Sequence, residues 1–244
     1  MTTAMNDIRN EAGVNIDPRE IAKFNAMAAR WWDPEGECKP LHRINPLRVE
    51  YIEHHARLRE RAVVDVGCGG GILCEALAAR GAHVTGIDMA DAALGVARMH
   101  MIETGAKVEY RQSSAENYAR ETPAAADVVT CMELIEHVPD PAALVKACAA
   151  LVRPGGDVFF STLNRTPKSY LFAIVGAEYV LRMLPKGTHD YARFIRPSEL
   201  AALLRAAGLE LRNTCGIAYN PIGDRYSLSD DIAVNYLIHA VRSA

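Results

Sequence analysis

The sequence predicts an α/β fold: a doubly wound, mostly parallel seven-stranded sheet, with a helical cap in front of it and a helical insertion after the fifth strand. Three observations predict it. From residue 62 onward, short apolar runs alternate with helical stretches, the rhythm of a parallel sheet covered on both faces. The run Asp65-Val66-Gly67-Cys68-Gly69-Gly70-Gly71 separates the first strand from its helix. The strand at 127–132 is apolar throughout its middle, as a central strand must be.

The elements follow in order. Residues 1–16 are polar and read as a loose terminus, and 17–244 as one domain. Asp17-Pro18 reads as an N-cap followed by proline at the first helical position. Ile21, Phe24, Ala28 and Trp31-Trp32 then fall on one apolar stripe. Residues 40–51 read as a turn running into another helical stretch that carries Arg43 and Arg48, so 17–61 forms an N-terminal helical cap. Strands are expected at 62–67, 83–88, 108–112, 127–132, 157–163, 209–214 and 235–241. Helices are expected at 72–80, 92–103, 141–152 and 198–207, with Gly81, Gly105, Gly155-Gly156 and Gly208 as stops. Between 163 and 198 the rhythm breaks, and 222–234 receives no assignment.

Composition narrows the function classes. The 244 residues carry a net charge of −3, so no basic excess draws in a polyphosphate backbone, and nucleic acid is not an expected partner. The six cysteines, at 38, 68, 74, 131, 148 and 215, form no CxxC pair, which argues against a zinc site or a disulfide framework. With neither a signal-peptide pattern nor a run of about 18 uncharged apolar residues, the expected address is the cytoplasm.

The glycine loop is the sharpest signal. Glycines at a strand end let the chain turn tightly and let a ligand approach the backbone, while the next helix aims free N–H groups at it. A dinucleotide fingerprint needs glycine at the sixth position from Gly67, where Ile72 stands, and a phosphate-gripping loop needs Gly-Lys-Ser/Thr. What remains is an acid, Asp65, followed by G-x-G-x-G, the form associated with S-adenosylmethionine. Asp88 ends the second strand, where its carboxylate can accept hydrogen bonds from both ribose hydroxyls. Arg48 or Arg43 offers a fork for the cofactor's carboxylate, and Met132, at the tip of the fourth strand, lies at the depth of the adenosyl group.

After the fourth strand stands Cys131-Met132-Glu133-Leu134-Ile135-Glu136-His137-Val138-Pro139-Asp140. Neither the N/D-P-P-Y of enzymes that methylate nucleic-acid amino groups nor a Pro-Cys nucleophile is present, which points to a small-molecule acceptor. On a helix, Glu133, Glu136 and His137 would share one face. They would then hold a divalent cation through oxygen and imidazole ligands, or His137 would serve as general base with Glu136 beside it. A phenol, with its pKa near 10, needs one of these aids before it attacks a methyl group.

These residues, with Lys39–Arg48, Arg30-Trp31-Trp32-Asp33, Pro154–Asn164 and Lys186-Gly187-Thr188-His189-Asp190, resemble the ubiquinone-biosynthesis O-methyltransferases, the UbiG family. The resemblance runs from about residue 21 to the C-terminus. It implies a Rossmann-like class I methyltransferase that makes two O-methylations of polyprenylated catechol-type intermediates, 2-polyprenyl-6-hydroxyphenol and 3-demethylubiquinol. It implies S-adenosylmethionine contacts at Arg48, Gly67, Gly69, Asp88 and Met132, beside Asp65. Mitochondrial members imply a magnesium-like ion at Glu133, Glu136 and His137.

The insertion at 165–190 is strongly apolar, with basic residues at Arg165, Lys168, Arg182 and Lys186. It is too short to span a bilayer but suits its interface. Given a polyprenyl substrate, this predicts peripheral contact of 165–187 with the inner face of the cytoplasmic membrane, and room for work within a biosynthetic complex. The rival readings are a quinone-ring C-methyltransferase, an NAD-dependent oxidoreductase and a non-catalytic S-adenosylmethionine-binding protein.

Overall fold

The structure is a computed structural model that describes residues 15–171 and 191–244. Helix α1 (Pro18–Met27) starts as its sequence dictates: the Asp17 side chain accepts from the Arg19 N–H at 3.0 Å, and Pro18 occupies the first turn. Asn15, just before it, is tied down by hydrogen bonds to Asp140 and Glu116. The apolar side of α1, Ile21, Phe24 and Met27, packs with Trp31 and Cys38 against Ile72, Ala90 and Ala93. The cap therefore rests on the helices that begin at the carboxyl ends of the first two strands.

Residues 40–51 correct the turn expected there. Helix α2 runs unbroken over Lys39–His55, with Pro40 in its first turn and Pro46 inside it. Pro40 removes no hydrogen bond that the first turn would make, whereas Pro46 removes one. The helix persists because burial of Val49, Tyr51 and Ile52 outweighs that loss.

The main domain follows as β1 (Ala62–Val66), α3 (Ile72–Ala79), β2 (His83–Asp88), α4 (Asp91–Thr104), β3 (Val108–Gln112), α5 (Ala115–Glu121), β4 (Ala126–Met132), α6 (Pro141–Leu151) and β5 (Val152–Leu163). After the single turn α7 (Pro167–Ser169) come α8 (Pro197–Ala206), β6 (Leu209–Asn220), β7 (Arg225–Ser229) and β8 (Asn235–Arg242). The sheet order is β3-β2-β1-β4-β5-β8-β6-β7. The first five strands are mutually parallel, and β8 runs antiparallel to both β5 and β6. The sheet has eight strands rather than seven, because β7 folds back on β6 as a hairpin inside the segment left unassigned.

Successive strand residues alternate between two cores. Val64, Val129, Val158 and Phe160 pack toward α5, α6 and α8. Val63, Val128 and Phe159 pack toward α2, α3 and α4. This double covering makes the parallel strands apolar on both faces. It also forces ligands to the carboxyl edge of the sheet, where β1 and β4 lie side by side and the chain reverses its winding. Of the apolar insertion, 172–190 falls outside the described residues. Tyr170 and Leu171, just before it, are about half exposed. Among the described residues no helix is long and apolar enough to cross a membrane.

Candidate active site

A cavity of about 880 Å3 opens at the carboxyl ends of β1, β2 and β4. Its floor is the glycine loop. The N–H groups of Gly67 and Cys68 donate to the Ile87 carbonyl at 2.8 and 3.1 Å, which fastens the loop to β2. Gly69 has φ +52°, and a Cβ there would meet the Trp31 ring at 2.2 Å, so both backbone shape and the approach of the cap demand glycine. The cap holds the loop a second way: Trp32 Nε1 donates to the Gly70 carbonyl at 2.8 Å, with the indole stacked on His100.

Asp88 closes the loop from β2. Its Oδ2 accepts from the Gly69 N–H and its Oδ1 from the Ala90 N–H, each at 2.8 Å. Each oxygen keeps a further lone pair toward the cavity it lines. Burial raises its carboxyl pKa despite these bonds. Asp65 works differently. Only 3% exposed, it accepts from Thr130 Oγ1 at 2.6 Å and from the Cys74 thiol at 3.2 Å. Its oxygens are thus committed to β4 and α3, and it braces the loop from beneath.

Two arginines were candidates for a carboxylate grip, and only Arg48 lines the cavity. It is 5% exposed, its Nη2 donates to Glu133 Oε1 at 3.1 Å, and its Nε has no partner. Arg43 instead pairs with Asp224 on the β6–β7 hairpin. Met132 is buried and lines the cavity beside Glu133 and Leu134.

The segment after β4 is a turn, not a helix. Glu133 sits at φ +52°, a left-handed conformation that costs a non-glycine residue on the order of 1–2 kcal/mol. It is held there by its N–H to the Ser161 carbonyl at 3.0 Å, and by Ser161 Oγ donating to its carboxylate at 2.8 Å. The face expected to gather three metal ligands therefore does not form. Glu133 serves Arg48 and Ser161. Glu136 turns away from the cavity into the core, and its two oxygens and the Thr162 hydroxyl lack hydrogen bonds of acceptable geometry. His137 faces Glu20. Among the described residues no three His, Cys, Asp or Glu side chains are arranged to hold an ion.

A family model described as a methyltransferase domain matches residues 15–214. The chain is 62% identical over 228 residues to the ubiquinone biosynthesis O-methyltransferase of Saccharophagus degradans, covering 93% of this chain and 97% of that one. It is 58% identical over 230 residues to the protein of the same name from Pseudomonas aeruginosa, covering 94% and 99%. The chain belongs to the ubiquinone biosynthesis O-methyltransferase family. Its fold is also that of the magnesium protoporphyrin IX methyltransferase from Synechocystis PCC 6803 with bound SAH, at TM-score 0.69 and 17% identity over 92% of this chain and 99% of that one. As a member of that family it is an S-adenosylmethionine-dependent O-methyltransferase. The donor set fits the cofactor: lone pairs on Asp88, the unpaired buried Nε of Arg48, and a glycine floor without side chains.

Sequence reasoning missed the partner of His137. Nδ1 lies 2.8 Å from Glu20 Oε2, across 117 residues of chain, and Phe24 packs edge-on against the same imidazole. Burial alone would lower the imidazole pKa, but the Glu20 hydrogen bond and the Glu136 charge outweigh it, so the net direction is upward. The only trace in the sequence was that Glu20 and Phe24 are one helical turn apart on α1. Burial, followed by the charge of Glu133, pushes Glu136 up to about 7. Thr130 and Ser161 were likewise unforeseen, each acting through a hydrogen bond that spacing does not encode.

Proposed function

We propose that this O-methyltransferase transfers a methyl group to a hydroxyl of polyprenylated catechols, 2-polyprenyl-6-hydroxyphenol and 3-demethylubiquinol, with His137 as general base. One observation supports the assignment of the base above the others. His137 lines the same cavity as Asp88 and Arg48, and Glu20 occupies its Nδ1. Nε2 is left without a protein partner among the described residues.

When bound, S-adenosylmethionine supplies an electrophilic methyl on a sulfonium. The residues do the rest. Asp88 accepts the ribose hydroxyls, Arg48 grips the amino-acid carboxylate through Nε, and the bare backbone at Gly67 and Gly69 allows close approach. Met132 packs on the adenosyl portion. His137 Nε2 takes the proton of the acceptor hydroxyl, while Nδ1–H stays donated to Glu20, whose charge stabilises the imidazolium that forms. The acceptor oxygen then bonds the methyl carbon as the carbon–sulfur bond breaks, with its electron pair going to sulfur. Holding both partners in one cavity supplies the orientation such an in-line displacement needs. Glu136 has no direct part, because it does not line the cavity. No step is assigned to a metal, because Glu133, Glu136 and His137 point to different partners.

The test is to incubate the purified protein with a labelled methyl donor and a prenylated catechol, and to locate the label by mass spectrometry. An aryl methyl ether supports the reading. Label on a ring carbon favours the quinone C-methyltransferase and refutes it. Membrane contact through 165–187 remains part of the proposal, supported by the half-exposed Tyr170 and Leu171. Liposome flotation unchanged by Leu171→Asp would overturn it.

A further inference from the structure

The β6–β7 hairpin carries side chains that methyl transfer does not use. Ile217, Ala218, Tyr219, Pro221 and Tyr226 line the same cavity as Asp88 and His137. Polar groups at this end are already satisfied: Asn235 Oδ1 accepts from the Ile217 N–H at 2.8 Å, and its Nδ2 donates to the Ile217 carbonyl at 3.0 Å. Apart from the Tyr226 hydroxyl, such a wall offers burial more than directional bonds, which suits an aliphatic chain rather than a sugar or a charged group.

The wall is pinned to the cap side of the cavity. Arg43 of α2 donates through Nη1 to Asp224 Oδ1 at 2.7 Å, and the Tyr219 hydroxyl donates to the same oxygen at 2.8 Å. The guanidinium also lies 5.0 Å from the Tyr226 ring centroid and 6.0 Å from that of Tyr219. The hairpin's base is seated by Gly216, where a Cβ would come within 2.1 Å of the Asp231 carbonyl oxygen. Pro221 lines the cavity, and the next residue, Ile222 at the hairpin tip, is 98% exposed, which places the apolar wall beside the molecular surface.

We infer that the β6–β7 hairpin, held by Arg43, is the berth for the isoprenoid tail of the acceptor, and that it recognises the tail apart from the chemistry at His137. This rests on the acceptor class proposed above. The apolar wall at the hairpin carries it: Ile217, Ala218, Pro221 and the rings of Tyr219 and Tyr226 line the cavity there, and the charged groups beside them, Lys168 and Asp231, are paired with each other. The tail enters where Ile222 meets solvent, and the ring advances toward His137.

The experiment compares two catechols, one bearing a short isoprenoid tail and one with a methyl group at the same ring carbon, and reads the ratio of their kcat/KM values. A ratio within one enzyme cancels any loss of folded protein. In the unaltered enzyme the tailed acceptor is preferred. Tyr226→Ala, which removes the wall, and Arg43→Ala, which unpins it, each lower the ratio by roughly tenfold or more. Tyr226→Phe, which keeps the ring face, holds it. Should Tyr226→Ala not accumulate as folded protein, Ala218→Phe narrows the berth and is read by the same ratio. A ratio unmoved by the variants, or equal use of both acceptors by the unaltered enzyme, overturns the inference while leaving O-methylation intact. Methylation of neither catechol overturns the proposed function, and this inference with it.

Discussion

Replacing Gly69 by alanine tests whether the cap and the cofactor loop form one packed unit. Gly69 lies at φ +52°, and a Cβ built on it falls 2.2 Å from Trp31 Cζ2 and 2.6 Å from Cη2. Two costs follow. Alanine in left-handed backbone costs roughly 1–2 kcal/mol. Displacing the buried Trp31 ring adds an overpacking cost of roughly 1–3 kcal/mol. Their sum, about 2–5 kcal/mol, lowers Tm by roughly 4–20 °C for a chain of this length. Thermal unfolding of Gly69→Ala in the parent and in Trp31→Ala separates the two. Without the indole, only the backbone part remains, so the double-mutant cycle gives a coupling of about 1–3 kcal/mol. An equal loss in both backgrounds would show that Trp31 does not press on the loop. A loss below about 1 kcal/mol in the parent would refute the backbone argument as well.

Three further outcomes follow from the same geometry. Asp88→Ala removes the proposed ribose acceptor together with the partner of the Gly69 and Ala90 N–H groups, so calorimetry should show cofactor affinity falling by roughly 10–100-fold. On the proposed reading His137 acts as a neutral base, and its pKa is raised, so kcat should climb with pH through a midpoint above the ordinary imidazole value of about 6.5. Glu20→Gln removes the carboxylate that raises it and should move that midpoint down; an unmoved pH profile would detach Glu20 from the base. Glu136 carries a folded pKa of about 7 against an ordinary 4.5, so its ionisation opposes folding increasingly as pH rises through that window. Glu136→Gln should therefore melt like the parent at pH 5 and higher at pH 8, by on the order of 3 kcal/mol, with no gain at pH 8 as the contrary result.

The sheet was largely legible because its strands are buried on both faces. Unbroken apolar runs such as Val128–Val129 and Val158-Phe159-Phe160 leave little choice of element, and β2 and β3 stand at their expected bounds. Two features escaped for physical reasons. Strand β7 reads Arg-Tyr-Ser-Leu-Ser, with only Tyr226 and Leu228 turned inward as apolar groups, so it lacks the run that marks a buried strand. Helix α2 was expected only as a turn running into a helical stretch, because the prolines at 40 and 46 are visible in sequence while the burial of Val49, Tyr51 and Ile52 that keeps the helix unbroken is not. Residues at or just beyond their strand ends, Gly67, Gly69, Asp88 and Met132, line the cavity together. Glu133, Glu136 and His137 do not converge on one face, because their spacing brings three side chains together only on a helix. The left-handed backbone at Glu133 sends them to Arg48, the core and Glu20 instead.

That last contact changes what the N-terminal segment is for. A cap that only covered the cavity would need apolar surface, and Phe24, Met27 and Trp31 provide it. This one also delivers a carboxylate. Trp31 and Trp32 seat it on the glycine loop, while Glu20, on the same segment, lies 2.8 Å from His137 Nδ1 and raises the imidazole pKa. Glu136 adds its charge from within the turn, but the hydrogen bond that raises the His137 pKa comes from α1, so lifting α1 removes that contribution. On the proposed reading of His137 as base, its Glu20 partner is in place only when the cap covers the glycine loop, the condition in which an ionised acceptor would be shielded from water beside the methyl donor.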